Sequence, residues 1–295
     1  MFSSILTTAT AFALLLGSAY GAFNGSVNNN AVYWGQNSYG QGTGDLAQKP
    51  LASYCADTNF DVILMAFLYQ MTTGHGGEPV INLANQGNNC TLFNGTQLMN
   101  CPQIGETSQP ASNSFTTADQ ATSMANLIWA TFGPVSSTTS AVDRPFGSAV
   151  VDGFNFDFEN TVNNMISFGQ TLRSLMDADT SKKYYLTAAP QCPYPDAADG
   201  VMLNNTVSFD AVFVQYYNNF CGIQSYVANA TTQNNFNFDV WDTWAKTESK
   251  NSNVKVLLGV PAGPSAAGSG YLPTSQLTPV IQYCQTFPSF GGVMM

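Results

Sequence analysis

The eight residues at 152–159, Asp-Gly-Phe-Asn-Phe-Asp-Phe-Glu, constrain this chain more than any other stretch. Val150 and Val151 lead into them, and aromatic residues then alternate with polar ones, which is the two-residue period of a β-strand. On a strand, Phe154, Phe156 and Phe158 share one face, and that face needs a hydrophobic layer to cover it. Asn155, Asp157 and Glu159 share the opposite face and point into a common cavity. Two carboxylates held that close repel each other, so one keeps its proton to higher pH than a free carboxyl would. A carboxylic acid still protonated near neutral pH is what a general acid needs. An exposed acidic edge strand would not carry Phe at every second position.

The 295 residues suit one large domain, and no Pro/Gly/Ser-only stretch marks a linker. Only 9% of residues are charged, the formal net charge is −10, and the eight basic residues are scattered, which argues against nucleic-acid binding. An acidic surface of this kind, with a pI near 4.2, suits an uncharged substrate. Residues 1–21 read as a secretory signal, with an apolar core at 5–17 and small residues Ser18, Ala19 and Gly21 for cleavage. No other run is long enough to span a membrane. Glycosylation sequons begin at Asn24, Asn89, Asn94, Asn204 and Asn229, and six cysteines in a secreted chain imply disulfides. No metal-ligand or phosphate-loop pattern occurs, so neither a metal nor a cofactor is expected, and a monomer is. His75, the single histidine, lies in a Gly-rich loop and reads as a surface residue.

Seven short apolar runs look like buried parallel strands: 31–34, 62–68, 150–158, 184–189, 211–217, 254–260 and 291–295. Amphipathic, helix-like segments lie between most of them, at 119–132, 162–177, 239–250 and 275–287. The first of these has a cap at Thr117 or Asp119 and stops at Gly133-Pro134. Such alternation fits an α/β fold, either a doubly wound sheet or a (β/α)₈ TIM barrel. Polar residues cluster where the strands end, as at Gln36-Asn37, Pro190-Gln191 and Gln215, and a barrel builds its site there. The expectation is therefore a barrel, with 22–295 as its single domain.

The residues resemble family-18 glycoside hydrolases, specifically the fungal and plant class III chitinases. Residues 152–159 resemble that family's Asp-Gly-x-Asp-x-Asp-x-Glu signature on the fourth strand. Tyr33-Trp34-Gly35-Gln36-Asn37 resembles its first strand, Gln215-Tyr216-Tyr217-Asn218-Asn219 its sixth, and Leu258-Gly259-Val260-Pro261-Ala262 its seventh. The resemblance implies hydrolysis of β-1,4-linked N-acetylglucosamine polymers with retention, the substrate's own acetamido oxygen attacking the anomeric carbon. It implies that Glu159 is the general acid and later activates water. It implies that Asp157 stabilises the acetamido group, and that the Tyr217 hydroxyl holds the acetamido carbonyl. By the same resemblance Asp152, Asn155, Gln215, Trp34, Tyr33 and Asn218 are candidate chitin-binding residues, with Tyr33, Trp34 and Tyr194 as possible sugar-stacking platforms. Cys90 with Cys101, and Cys192 with Cys221, resemble two family disulfides. Cys55 resembles half of a third, and Cys284 is left over, so whether these two pair stays open.

Three departures from the family stand out. Asn155 replaces an Asp; an amide cannot share a proton, so Asp157 should ionise more readily, with Asn155 donating a hydrogen bond to it. The third barrel strand is missing, because 103–117 is polar where an apolar strand belongs. The chain also stops after Gly291-Gly292-Val293-Met294-Met295, where the family continues into a Trp and a last helix. Both losses in one barrel read as a fragment or a misassembled gene. The alternative functional expectations are a chitin-binding, lectin-like barrel with weak or no catalysis, and an endoglycosidase acting on N-glycans. Retention of Glu159 argues against the first, and the class III flanking motifs against the second.

Overall fold

The computed structural model describes residues 28–37, 39–40, 43–55, 59–71, 79–84, 114–135 and 144–295, together with Phe23 and Gly25. The strands are β1 Asn29–Trp34, β2 Val62–Met65, β3 Leu68–Gln70, β4 Val80–Ile81, β5 Gly153–Phe156, β6 Tyr185–Ala188, β7 Ala211–Gln215, β8 Lys255–Gly259 and β9 Phe290–Met294. The helices are α1 Leu51–Cys55, α2 Ala118–Phe132, α3 Met165–Ala178, α4 Gly200–Leu203, α5 Phe238–Thr247 and α6 Thr274–Cys284. Seven strands form one parallel sheet in the order β2-β1-β9-β8-β7-β6-β5, a barrel closed except between β2 and β5. That opening is where a third stave belongs, and among the described residues nothing pairs with the two free edges. All seven apolar runs are strands of this sheet. The run at 62–68 is shorter than expected, because the chain leaves the barrel after Met65 and pairs β3 with β4 as a separate antiparallel ribbon. The proposed leader at 1–21, His75, Cys90 and Cys101 lie outside the described residues.

Alternation sorts the side chains into two layers. Ala31, Ala211, Phe213, Leu257 and Met294 fill the barrel interior, and Phe23 packs edge-on against Tyr185 with ring centres 5.2 Å apart. The opposite parity faces the helices, where Phe156 meets Phe168 of α3 at 5.7 Å and Trp241 and Trp244 of α5 are fully buried. Helix α2 has the cap its sequence suggests: the Thr117 hydroxyl accepts from Gln120 N at 3.2 Å, and Gly133 ends the helix by donating to Trp129 O. Cys192 and Cys221 form a disulfide, with Cα atoms 5.9 Å apart. Cys55 and Cys284 are free thiols, one exposed and the other fully buried, so they do not pair. Among the described residues no helix is long and apolar enough to cross a membrane.

The junction of β1 with β9 depends on Gly292. Its φ is +140°, and a Cβ there would lie 1.9 Å from Asn29 O, inside the parallel ladder. Gly292→Ala should therefore cost more than about 3 kcal/mol in urea denaturation. Gly147→Ala, at φ +59° with open space around the added atom, should cost only about 1 kcal/mol.

Candidate active site

Four inward-facing polar side chains converge near the C-terminal ends of the strands: Tyr33 on β1, Asn155 on β5, Thr187 on β6 and Gln215 on β7. Asp157 follows just after β5 on the same parity as Asn155. Gln215 Nε2 donates to Asp157 Oδ1 at 3.0 Å and to Ala189 O at 2.8 Å, and Tyr33 Oη donates to Asp157 Oδ2 at 3.4 Å. Burial pushes the Asp157 carboxyl up to about 6, and the charge of Glu159 adds to the rise, while the bonds from Tyr33 and Gln215 pull it back. A raised carboxyl is what the octad's spacing predicts for one of its two carboxylates. Glu159 is exposed, two residues further on.

Tyr217 sits beside this pair. Burial first, then the charges of Asp157 and Glu159, push its hydroxyl pKa far above the ordinary value, so it remains a neutral donor. Its backbone is held by Gly270, whose φ is +95° and where a Cβ would lie 2.7 Å from Tyr217 Cβ. Asn218 is exposed and takes up φ +56°; its Oδ1 accepts from Ser269 N at 3.0 Å, so it clamps the loop after β8 onto the loop after β7. A cavity of about 1080 Å³ runs from these carboxylates along the opening between β2 and β5. Its chemical end holds Tyr33, Asn155, Asp157, Glu159 and Thr187, and its flank is apolar, with Leu64 and Phe154 among the lining.

Three expected residues are not brought to this cluster. Trp34 points outward, buried, with its indole Nε1 donating to Lys49 O at 3.0 Å. Neighbours on a strand face opposite ways, so Tyr33 and Trp34 cannot both serve one cavity. Asp152 sits at the other end of β5, five residues or roughly 16 Å from Asp157, where it forms an exposed ion pair with Lys182 at 2.7 Å. Tyr194 stacks edge-on against Trp241 at 5.3 Å and donates to Glu248 at 2.6 Å. Tyr33 does reach the cluster, as a hydrogen-bonding group and not as a stacking platform. The hydrogen bond expected from the Asn155 amide to Asp157 is not formed; its Nδ2 donates instead to Tyr33 Oη at 3.1 Å.

The chain belongs to glycosyl hydrolases family 18, whose model matches residues 29–275. It is 44% identical over 313 residues to the class III chitinase of Arthroderma benhamiae, covering 99% of this chain and 88% of the relative. It is likewise 44% identical over 309 residues to endochitinase 33 of Trichoderma harzianum, covering 98% and 92%. Both alignments are longer than the 295 residues here, so each relative carries residues that this chain lacks. Among solved structures, a xylanase and alpha-amylase inhibitor protein from Scadoxus multiflorus is similar at a TM-score of 0.65 and 29% identity, covering 91% of this chain and 92% of that one.

The raised carboxyl carries a sign that can be checked. A carboxyl held near 6 in the fold and near 3.8 when unfolded binds its proton more tightly in the folded state. Its stability contribution is full below pH 4 and is lost as pH rises through about 6. Asp157→Asn should therefore match the parent at pH 4 and exceed it by about 1–2 kcal/mol at pH 7.5 in urea denaturation.

Proposed function

We propose that this protein is a secreted endochitinase that cleaves β-1,4 linkages between N-acetylglucosamine units with retention of configuration. The observation that carries this reading is that Asp157 and Glu159, two residues apart just past β5, are electrostatically coupled, with Tyr217 close enough to feel both charges. Sequence similarity to two proteins named as chitinases supports the substrate class.

In this reading Glu159, facing solvent at the mouth of the cavity, protonates the leaving oxygen and then activates water. The acetamido oxygen of the substrate attacks the anomeric carbon, so no protein nucleophile is needed. Asp157 accepts the acetamido N–H and stabilises the positive charge that develops on the oxazolinium-like ion. Tyr217 keeps its proton across the working pH range and donates to the acetamido oxygen, holding it for attack. Gln215 fixes one oxygen of Asp157 and Tyr33 meets the other, so the carboxylate is oriented before the substrate arrives. The exposed sequon residues Asn204 and Asn229 are compatible with a glycosylated, extracellular chain. Its partner is chitin or a chito-oligosaccharide, met by a monomer outside the cell or in a cell wall.

One observation favours a second reading, a chitin-binding barrel with little turnover. Strand β5, which leads into the carboxylates, is a sheet edge among the described residues, and a carboxylate pair beside an edge is less firmly held than one inside a closed barrel.

Glu159→Gln separates the two. It should abolish chito-oligosaccharide hydrolysis while leaving oligomer binding within about twofold, because only the proton donor is lost. Turnover that persists would place the acid elsewhere, and a parent that binds without cleaving would establish the second reading. Tyr217→Phe should lower kcat on the order of 10²-fold with a smaller change in KM, as loss of a donor at the reacting group does.

A further inference from the structure

Asn155 and Asp157 stand two residues apart on the inward face of β5, yet a third residue connects them. Asn155 Nδ2 donates to Tyr33 Oη at 3.1 Å, and Tyr33 Oη donates to Asp157 Oδ2 at 3.4 Å. On the other side of the amide, Thr187 Oγ1 donates to Asn155 Oδ1 at 2.8 Å. Thr187 is the in-register partner of Asn155 on β6, so this link is part of the sheet's own pairing. Thr187, Asn155, Tyr33 and Asp157 form one line drawn from three strands. Thr187 is buried.

This line has a direction. The Thr187 hydroxyl has one proton and two acceptors in reach, Asn155 Oδ1 at 2.8 Å and the Phe154 carbonyl at 3.4 Å, and the nearer one takes it. With its carbonyl end held by Thr187, the amide presents its NH₂ to Tyr33. A phenol oxygen that accepts from that NH₂ sends its own proton onward, and Asp157 is the acceptor there.

We propose that Thr187 and Asn155 are positioning residues that act through Tyr33 to keep a hydrogen-bond donor aimed at Asp157, holding that side chain as an oriented carboxylate. An Asp at 155 would reverse the line. It would accept the Tyr33 proton, take that donor away from Asp157 and add a second negative charge beside it. The Asn thus substitutes a fixed neutral donor chain for a shared proton. The groups that face Asp157 are Glu159 along its own segment, Tyr33 from β1, and Gln215 and Tyr217 from β7 and its loop. Asp199, buried ahead of α4, is near enough for its own carboxyl to feel the charge of Asp157. Only the Tyr33 donor is under the control of Asn155. The proposal rests on the hydrolase reading solely for what Asp157 does with the substrate; the line itself is a property of the free protein.

The test follows the carboxyl carbon of Asp157 by NMR across pH in the substrate-free full chain, assigned against Asp157→Asn. Kinetics on chito-oligosaccharides then give the acidic limb of kcat/KM for the same proteins. Asn155→Asp, Thr187→Val and Tyr33→Phe should each raise the Asp157 midpoint by about one pH unit, the loss of one hydrogen bond to a charged group. The acidic limb should move the same way. Thr187→Ser, which keeps the hydroxyl, should titrate like the parent, whereas a purely structural role for Thr187 would make Ser and Val alike. A midpoint that stays put in folded Asn155→Asp and Tyr33→Phe overturns the proposal, whether or not Thr187→Val folds. A parent that shows the midpoint shifts but never cleaves chitin oligomers would sink the hydrolase reading and leave the line standing.

Discussion

The separation of two faces along residues 153–159 is the constraint on which the rest depends. Outward, Phe156 meets Phe158, Phe168 and Phe209 with ring centres 5.7 to 5.8 Å apart, and Phe154 lies beside Trp129 of α2. That aromatic anchorage fixes the rotation of β5 about its own axis. Inward, the same rotation aims Asn155 and Asp157 at the barrel centre. A slip by one residue would drive two carboxylates into the helix layer and three Phe rings into the cavity. Among the described residues β5 has a hydrogen-bonded neighbour on one side only, β6, and its Phe154 and Phe156 add ring contacts to Trp129 of α2 and Phe168 of α3.

The electrostatics follow from that geometry. Taking Asp157 out of water beside Glu159 favours its neutral form, while donors from β1 and β7 favour the charged one. The opposing effects leave the group near 6, between the ordinary carboxyl value and what burial alone would give. A side chain so balanced changes its charge in response to a single hydrogen bond made or lost. A substrate amide arriving opposite Asp157 is one such bond.

Much of the fold is legible in the sequence because parallel strands buried on both faces leave unbroken apolar runs, and all seven runs are staves. The ends of α2 are legible because Thr117 and Gly133 are local signals. The site is legible where parity applies, as for Asp157 and Gln215. The same parity, applied to the adjacent pair Tyr33 and Trp34, separates an inward phenol from an outward indole. Asp152 belongs to the signature in sequence but to the opposite end of the strand in space. Thr187 left a usable signal, a polar residue at an inward position of an otherwise apolar run. The roles of Gly270 and Ser269 left none, since a loop that closes on Tyr217 from fifty residues away depends on tertiary contact alone.

The order of the sheet sets the order in which it can be assembled. Strand β9 lies between β1 and β8, so the last strand in sequence is an interior strand in space. The Asn29 side chain reaches Gly291 across 262 positions of sequence. During synthesis, β1 and β2 must wait beside a growing sheet that they cannot join until residues 290–294 have left the ribosome. Such long-range closure is slow and leaves apolar strand edges uncovered in the interim. The nascent chain, with those edges uncovered, is the form most in need of a chaperone.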